Sequence, residues 1–165
     1  MKRTPILLAL VATAVAAASA TPAGAASCTL AQARTAVAAA RPRIPGETGA
    51  KVLVDPTSVD KVLCYDFTRD GRTDLAISVA SGGTAGDVGW LVLQRAASGW
   101  RLAIGQNGYK LGLFRVGGDV VISQPIYRKK DPNCCPTGGF AHDRYHWNGT
   151  HFVLVRSFKT KSYTP

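Results

Sequence analysis

The residues best suited to chemistry form a short acidic segment between residues 66 and 74. Oxygen-bearing side chains surround Gly71, which permits a sharp turn; they belong to Asp66, Thr68, Asp70 and Asp74. Calcium takes about six to eight oxygen ligands, and a tight loop with this spacing gathers several, including the Arg72 carbonyl. A turn without metal uses the same carboxylates to cap backbone N–H groups and to pair with Arg69 and Arg72. Both interpretations remain open at this point.

The residues around the acidic segment argue against an EF-hand. An EF-hand loop that starts at Asp66 needs a bidentate Glu at its twelfth position, where this chain has Ile77. The flanking segments 62–65 and 75–79 alternate or run apolar, as strands do, whereas an EF-hand needs helices. The acidic segment is therefore expected to join two strands.

A strand, an acidic loop and a second strand form the unit that this segment resembles. The pattern Asp66-x-Thr68-x-Asp70-Gly71-x-x-Asp74-Leu75 is similar to the FG-GAP/VCBS repeat, and it occurs here in one copy. The resemblance implies a structural Ca²⁺ that orders the hairpin. The ligands it implies are Asp66, Asp70, Asp74 and the Arg72 carbonyl, with Thr68 in a weaker position.

A second cluster near the C-terminal end carries histidines. It comprises His142, Asp143, His146 and His151. His142 and His146 share one face of a predicted strand, and His151 follows the Asn148-Gly149 turn. Such a cluster suits metal binding or acid–base catalysis, which gives the alternative of a small secreted hydrolase or inhibitor. The simpler interpretation is that these histidines are exposed residues of a basic hairpin. The chain is then expected to be a non-catalytic module.

The charge balance indicates an anionic partner. The chain carries 20 Lys and Arg against 10 Asp and Glu, a net charge of +10. Cations and aromatic side chains are mixed in its second half, a combination that can hold an anionic or glycan polymer of the cell envelope, with nucleic acid the less expected partner. A basic β-protein with aromatics packed inside and cations outside shows the same combination. The candidate surface comprises Tyr127, Arg128, Lys129, Lys130, Arg144, Tyr145 and Trp147. The oligomeric state cannot be inferred from these patterns.

The N-terminal residues are typical of a secretory signal peptide. Lys2 and Arg3 precede an apolar run over 6–20, which is shorter than the roughly 18–20 residues that cross a bilayer. We predict a signal peptide over 1–26 and a secreted protein without a transmembrane segment after cleavage. A lipoprotein anchored at Cys28 is the alternative. The richness in Ala, Arg and Gly resembles that of secreted actinobacterial proteins.

Four cysteines in an exported chain suggest two disulfides, and three pairings are open. Neighbouring Cys134 and Cys135 usually bridge to different partners, because a disulfide between them closes a strained ring. The segment Asp131–Pro136 nevertheless resembles a Cys-Cys-Pro segment that recurs in uncharacterised secreted bacterial proteins. This resemblance favours a bridge between the two neighbours, with Cys28 paired to Cys64.

The periodicity predicts one β-rich domain over 27–158, followed by a flexible tail over 159–165. One helix is expected over 29–40, where apolar residues recur at helical spacing before Pro42. The rest predicts a mainly β, α+β fold, an antiparallel meander of about eight strands stapled by disulfides. The expected strands span 61–66, 73–80, 88–95, 100–105, 109–116, 119–127, 140–147 and 151–158.

Overall fold

The computed structural model describes residues 28–165, so the predicted signal peptide and its cleavage position lie outside the described residues. The described part is mainly β, with one α-helix, α1, over Leu30–Ala40 and a 3₁₀ turn over Pro56–Ser58. Its strands are β1 (Arg43–Pro45), β2 (Lys51–Leu53), β3 (Val59–Tyr65), β4 (Asp74–Ala80), β5 (Asp87–Ala96), β6 (Gly99–Asn107), β7 (Gly112–Val116), β8 (Asp119–Pro125), β9 (Phe140–Trp147) and β10 (Phe152–Thr160).

The strands form two four-stranded antiparallel sheets and a small hairpin, instead of the single meander predicted. The first sheet has the order β3-β4-β5-β6 and the second the order β10-β9-β8-β7, while β1 pairs with β2. The eight predicted strands correspond to β3–β10, and the two three-residue strands were missed because they are too short to show a period. Between the sheets the chain turns at Lys110, which has a positive φ of 50°.

The two sheets pack face to face around a core of large side chains. This inter-sheet core includes Phe67 of the β3–β4 connection and Trp90 of the first sheet, and Leu113, Ile122 and Trp147 of the second sheet. Burying such side chains is the main favourable contribution to folding.

The opposite face of the first sheet is covered by α1. Ala33, Ala36 and Val37 of the helix pack against Ile77 and Leu91 of the sheet. Small residues on this face of α1 allow the helix to approach the sheet closely. Strand β4 therefore lies in the middle of three layers and is buried on both faces, which explains its continuous apolar run.

The helix confirms the segment predicted from the pattern. Thr29 caps its first turn in a reciprocal capping box with Gln32. At the other end Arg41 adopts the left-handed conformation (φ 44°), and its N–H donates to the Val37 carbonyl before Pro42 prevents continuation.

The structure pairs Cys28 with Cys64 and Cys134 with Cys135. The first bridge joins Cys28, two residues before α1, to β3, across a separation of 36 residues. Closing a loop of that size stabilises a fold by roughly 3–4 kcal/mol in the chain-entropy account. The second bridge closes a small ring inside the connection between β8 and β9.

The chain end stays in contact with the second sheet. Strand β10 continues to Thr160, two residues beyond the predicted strand end. The Tyr163 hydroxyl donates to the Leu111 carbonyl at 2.8 Å, and its ring packs against Phe114 and Phe140. Within residues 28–165, no helix combines the length and the apolar character needed to cross a membrane.

Candidate functional site

The acidic segment is the connection between β3 and β4, as the strand–loop–strand pattern predicts. Tyr65 and Asp74 face each other across the two strands, so the loop spans 66–73. Phe67 is fully buried in the inter-sheet core and holds the first half of the loop in place. Gly71 has φ of 81°, a conformation that favours glycine and provides the predicted sharp turn.

The exposed half of the loop is closed by carboxylate-to-backbone hydrogen bonds. The two oxygens of Asp66 accept from the N–H groups of Asp70 at 3.0 Å and Gly71 at 2.9 Å. Asp70 in turn accepts from the Arg72 N–H at 3.0 Å and from the Arg72 guanidinium at 3.2 Å. Each acid therefore fixes the backbone that follows it.

Asp74 holds the buried side of the loop by hydrogen bonds. Its Oδ2 accepts from the N–H and the hydroxyl of Thr68, at 2.9 and 2.8 Å, and its Oδ1 accepts from the Arg95 N–H at 3.0 Å. Asp74 is completely buried. Burial raises the pKa of its carboxyl, while the hydrogen bonds from Arg95 and Thr68 act in the opposite direction. One side chain thus joins the loop, β4 and the end of β5.

The donor set fits a turn closed by hydrogen bonds better than a calcium site. Every carboxylate oxygen of Asp66, Asp70 and Asp74 already accepts from an N–H group, and the Arg72 guanidinium lies on Asp70. In the part of the chain that the structure describes, no group of three or more His, Cys, Asp or Glu side chains is placed to hold a metal ion. The calcium site implied by the FG-GAP/VCBS resemblance stays a hypothesis beside this interpretation, and the experiment that separates the two is given below.

The second sheet contains a buried acid at the equivalent place, which sequence reasoning missed. Asp119 begins β8 as Asp74 begins β4, each at the second strand of its sheet. It bonds His146 Nδ1 at 2.6 Å and the Arg144 guanidinium, both from β9. Burial opposes ionisation of Asp119, but the bonds from His146 and Arg144 outweigh it and lower its pKa. The available signal was the Gly117-Gly118 turn directly before it.

The structure does not bring the four residues of the histidine cluster into one site. His142 is fully buried, and its ring nitrogens contact Ser123 Oγ at 2.6 Å and Thr160 Oγ1 at 2.7 Å. His146 lies four residues away, about 13 Å along the same strand, and binds Asp119.

The remaining two members of the histidine cluster lie elsewhere. Asp143 projects from the opposite face of β9 and accepts from Ser157, while His151 lies in the β9–β10 turn beside Thr150.

Two members of the predicted binding surface are core residues. Tyr145 and Trp147 are only 7% and 8% exposed, because they point from β9 into the inter-sheet core. Their neighbour Arg144 is on the opposite face of β9 and is paired with Asp119. The predicted surface therefore reduces to residues 127–130.

Those four residues begin a loop, residues 127–137, that we call the cationic loop. Asp131 organises it by accepting from the N–H groups of Arg128 and Thr137, both at 2.7 Å. These bonds lower the pKa of the Asp131 carboxyl. The Tyr127 hydroxyl and the Lys110 ammonium both donate to the Asn133 carbonyl.

Three consecutive cations project from the cationic loop. Arg128, Lys129 and Lys130 are exposed, and none of them forms an ion pair with any residue from 28 to 165. This arrangement can hold negative charge without first breaking a contact of the protein.

We predict that Asp74→Asn destabilises the fold by about 1–3 kcal/mol. An Asn side chain has one acceptor oxygen where Asp74 has two, so the N–H of either Thr68 or Arg95 would be buried without an acceptor. Urea unfolding at neutral pH measures this. Asp60→Asn is the matched control, since Asp60 is an exposed acid on β3. Equal unfolding midpoints for the two variants would contradict the role given to Asp74.

We also predict that Asp119→Asn costs about 2 kcal/mol at pH 7, because hydrogen bonds to a charged group are lost. The pKa of Asp119 is lower in the folded state than in the unfolded state, where it is about 3.9. The contribution of Asp119 to the free energy of unfolding is therefore complete above the unfolded pKa and is lost as the pH falls through the folded pKa. The difference between wild type and variant should therefore shrink in urea unfolding between pH 5 and pH 2. A difference that stays constant would refute this pairing.

Comparison of the chain with family models, with curated proteins and with solved structures finds no match. The resemblance to FG-GAP/VCBS repeats therefore depends on the acidic segment alone.

Proposed function

We propose that this chain is an exported, non-catalytic module that binds an anionic polymer of the cell envelope through the cationic loop. The observation that carries the proposal is the run of Arg128, Lys129 and Lys130, exposed and without ion-pair partners in the described part of the chain. Cations that serve only solubility need no fixed arrangement. Here they follow directly from the end of β8 and are held in a defined loop.

The order of the cationic loop supports binding. Asp131, the Tyr127 hydroxyl and the Cys134–Cys135 bridge fix its backbone at three places. A binding loop that is ordered before it meets its partner loses less conformational entropy on association. The whole molecule adds long-range attraction, since the full chain has a net charge of +10 and loses only the cations Lys2 and Arg3 with the predicted signal peptide.

Export to an oxidising compartment agrees with the cysteines. The described part of the chain has no free cysteine, and disulfides persist mainly outside the cytosol. The charged, apolar and small-residue order of residues 1–26 supports the same location. An envelope polymer that carries carboxylate or phosphate groups would be the anion that such a protein meets.

In this proposal the acidic loop has a structural task. It joins β3 to β4 and to the end of β5 through Asp66, Asp70 and Asp74, and so helps hold the first sheet together. The loop does this with its own hydrogen bonds. Calcium, the cofactor implied by the FG-GAP/VCBS resemblance, is not required.

The polymer proposal predicts that replacing the three cations with alanine weakens binding to heparin about tenfold, because each exposed ion pair contributes about 0.5 kcal/mol. Affinity should fall steeply with salt in the wild type and less steeply in the Arg128→Ala/Lys129→Ala/Lys130→Ala variant. Fluorescence anisotropy with labelled heparin at several salt concentrations measures both.

The matched control removes three exposed cations elsewhere, in Lys51→Ala/Lys159→Ala/Lys161→Ala. It changes the net charge equally and should lose less than threefold in affinity. Equal losses in both triple variants would show that only net charge attracts the polymer. Poly-L-glutamate in place of heparin tests whether the sugar rings contribute.

For the acidic loop, we predict that neither millimolar Ca²⁺ nor a chelator shifts the melting temperature by more than about 1 °C at pH 7. The loop carboxylates already accept from N–H groups, so a cation would have to displace them. Differential scanning calorimetry measures the shift. A calcium-dependent rise that disappears in Asp70→Ala would establish the calcium site instead.

A further inference from the structure

A large cleft lies at the side of α1, away from the residues of the cationic loop. It has a volume of about 740 Å³, within the range of small-molecule sites. The first turns of the helix form one wall, and the Cys28–Cys64 bridge lies at one side. Leu75 of β4 and Trp100 of β6 complete an apolar surface.

The charged side chains that line this cleft are all cationic. Arg72 and Arg95 line it, together with the uncharged Gln32, Thr35 and Thr73, and no acidic residue is among its lining side chains. Arg72 already bonds Asp70, the nearest acid of the loop. The cleft therefore combines an apolar interior with positive charge at its rim.

Arg95 is the group most ready to bind an anion. Its guanidinium stacks over the Trp100 ring at 4.8 Å from the centroid. Its side-chain N–H groups have no hydrogen-bond or ion-pair partner anywhere in residues 28–165. A stacked guanidinium keeps its edge free, and that edge matches the two oxygens of a carboxylate or phosphate.

We propose that this cleft binds a single-chain anionic amphiphile. The acyl chain lies against Ala31, Ala36, Leu75 and Trp100, and the carboxylate or phosphate head bonds Arg95. Neutral amphiphiles leave Arg95 without a partner, and cationic ones meet two guanidinium groups. An inorganic anion alone gains nothing from the apolar walls. This inference is independent of polymer binding, because no residue is shared with the cationic loop.

The test titrates the full chain with oleate, with oleoyl lysophosphatidate, with neutral monoolein and with oleylamine, all below their micelle-forming concentrations. Trp100 reports binding by fluorescence, since the other two tryptophans, Trp90 and Trp147, are buried between the sheets. We expect saturable binding of the two anionic probes and at least tenfold weaker binding of monoolein and oleylamine. The tighter of the anionic probes shows whether a carboxylate or a phosphate head is preferred.

Two pairs of variants separate the head-group contact from the apolar contact. Arg95→Gln should weaken oleate binding about tenfold, whereas Arg156→Gln should not, although Arg156 also stacks on an aromatic ring, that of Phe158, at 4.9 Å. Ala31→Leu should reduce binding by filling the cleft. Ala38→Leu, two turns further along the same exposed face of the helix and outside the lining of the cleft, should leave it unchanged.

Equal binding of oleate and monoolein would overturn the proposal, as would an Arg95→Gln variant that binds oleate as tightly as the wild type. Failure of every probe to bind would also overturn it. Circular dichroism of each variant verifies that lost binding does not reflect lost folding.

Discussion

The first sheet depends on one buried carboxylate, that of Asp74. It satisfies N–H groups on the loop at Thr68 and on β5 at Arg95, from a position that is closed to water. A buried charge is costly unless it is paired or hydrogen-bonded, so the site is stable only while these donors remain in place. This constraint fixes the start of β4, and β4 is the strand on which α1 and the second sheet both pack.

The second sheet also contains a buried carboxylate, and different groups donate hydrogen bonds to it. Its second strand also begins with a buried acid, Asp119, but the donors are side chains of β9 instead of backbone groups. Charged donors lower the pKa of Asp119, whereas burial raises that of Asp74. The pKa values of the two buried carboxyl groups are therefore shifted in opposite directions. The cationic loop connects β8 to β9 of the second sheet, and its three cations have no ion-pair partner among residues 28–165, which is why we assign binding to the loop and structure to the acids.

Periodicity was sufficient to predict α1 and the strands of both sheets, because each is longer than one repeat of its pattern. It could not predict the division into two sheets, which depends on the turn at Lys110 and on packing between distant strands. The mixture of cations and aromatic residues, and not periodicity, led us to include Tyr145 and Trp147 in the candidate surface. Alternation along β9 separates two faces but does not say which one is buried, and here the aromatic face points inward. The pairing of Asp119 with β9 is likewise a contact between residues far apart in sequence.

Amide hydrogen exchange at Thr68 and Arg95 tests the central claim most directly. Both N–H groups donate to Asp74, so we expect them to exchange only when the whole domain unfolds, as slowly as the amides within β4. Exchange of either amide at the rate of an open loop would mean that the carboxylate does not hold the connection, and would contradict this account of the fold.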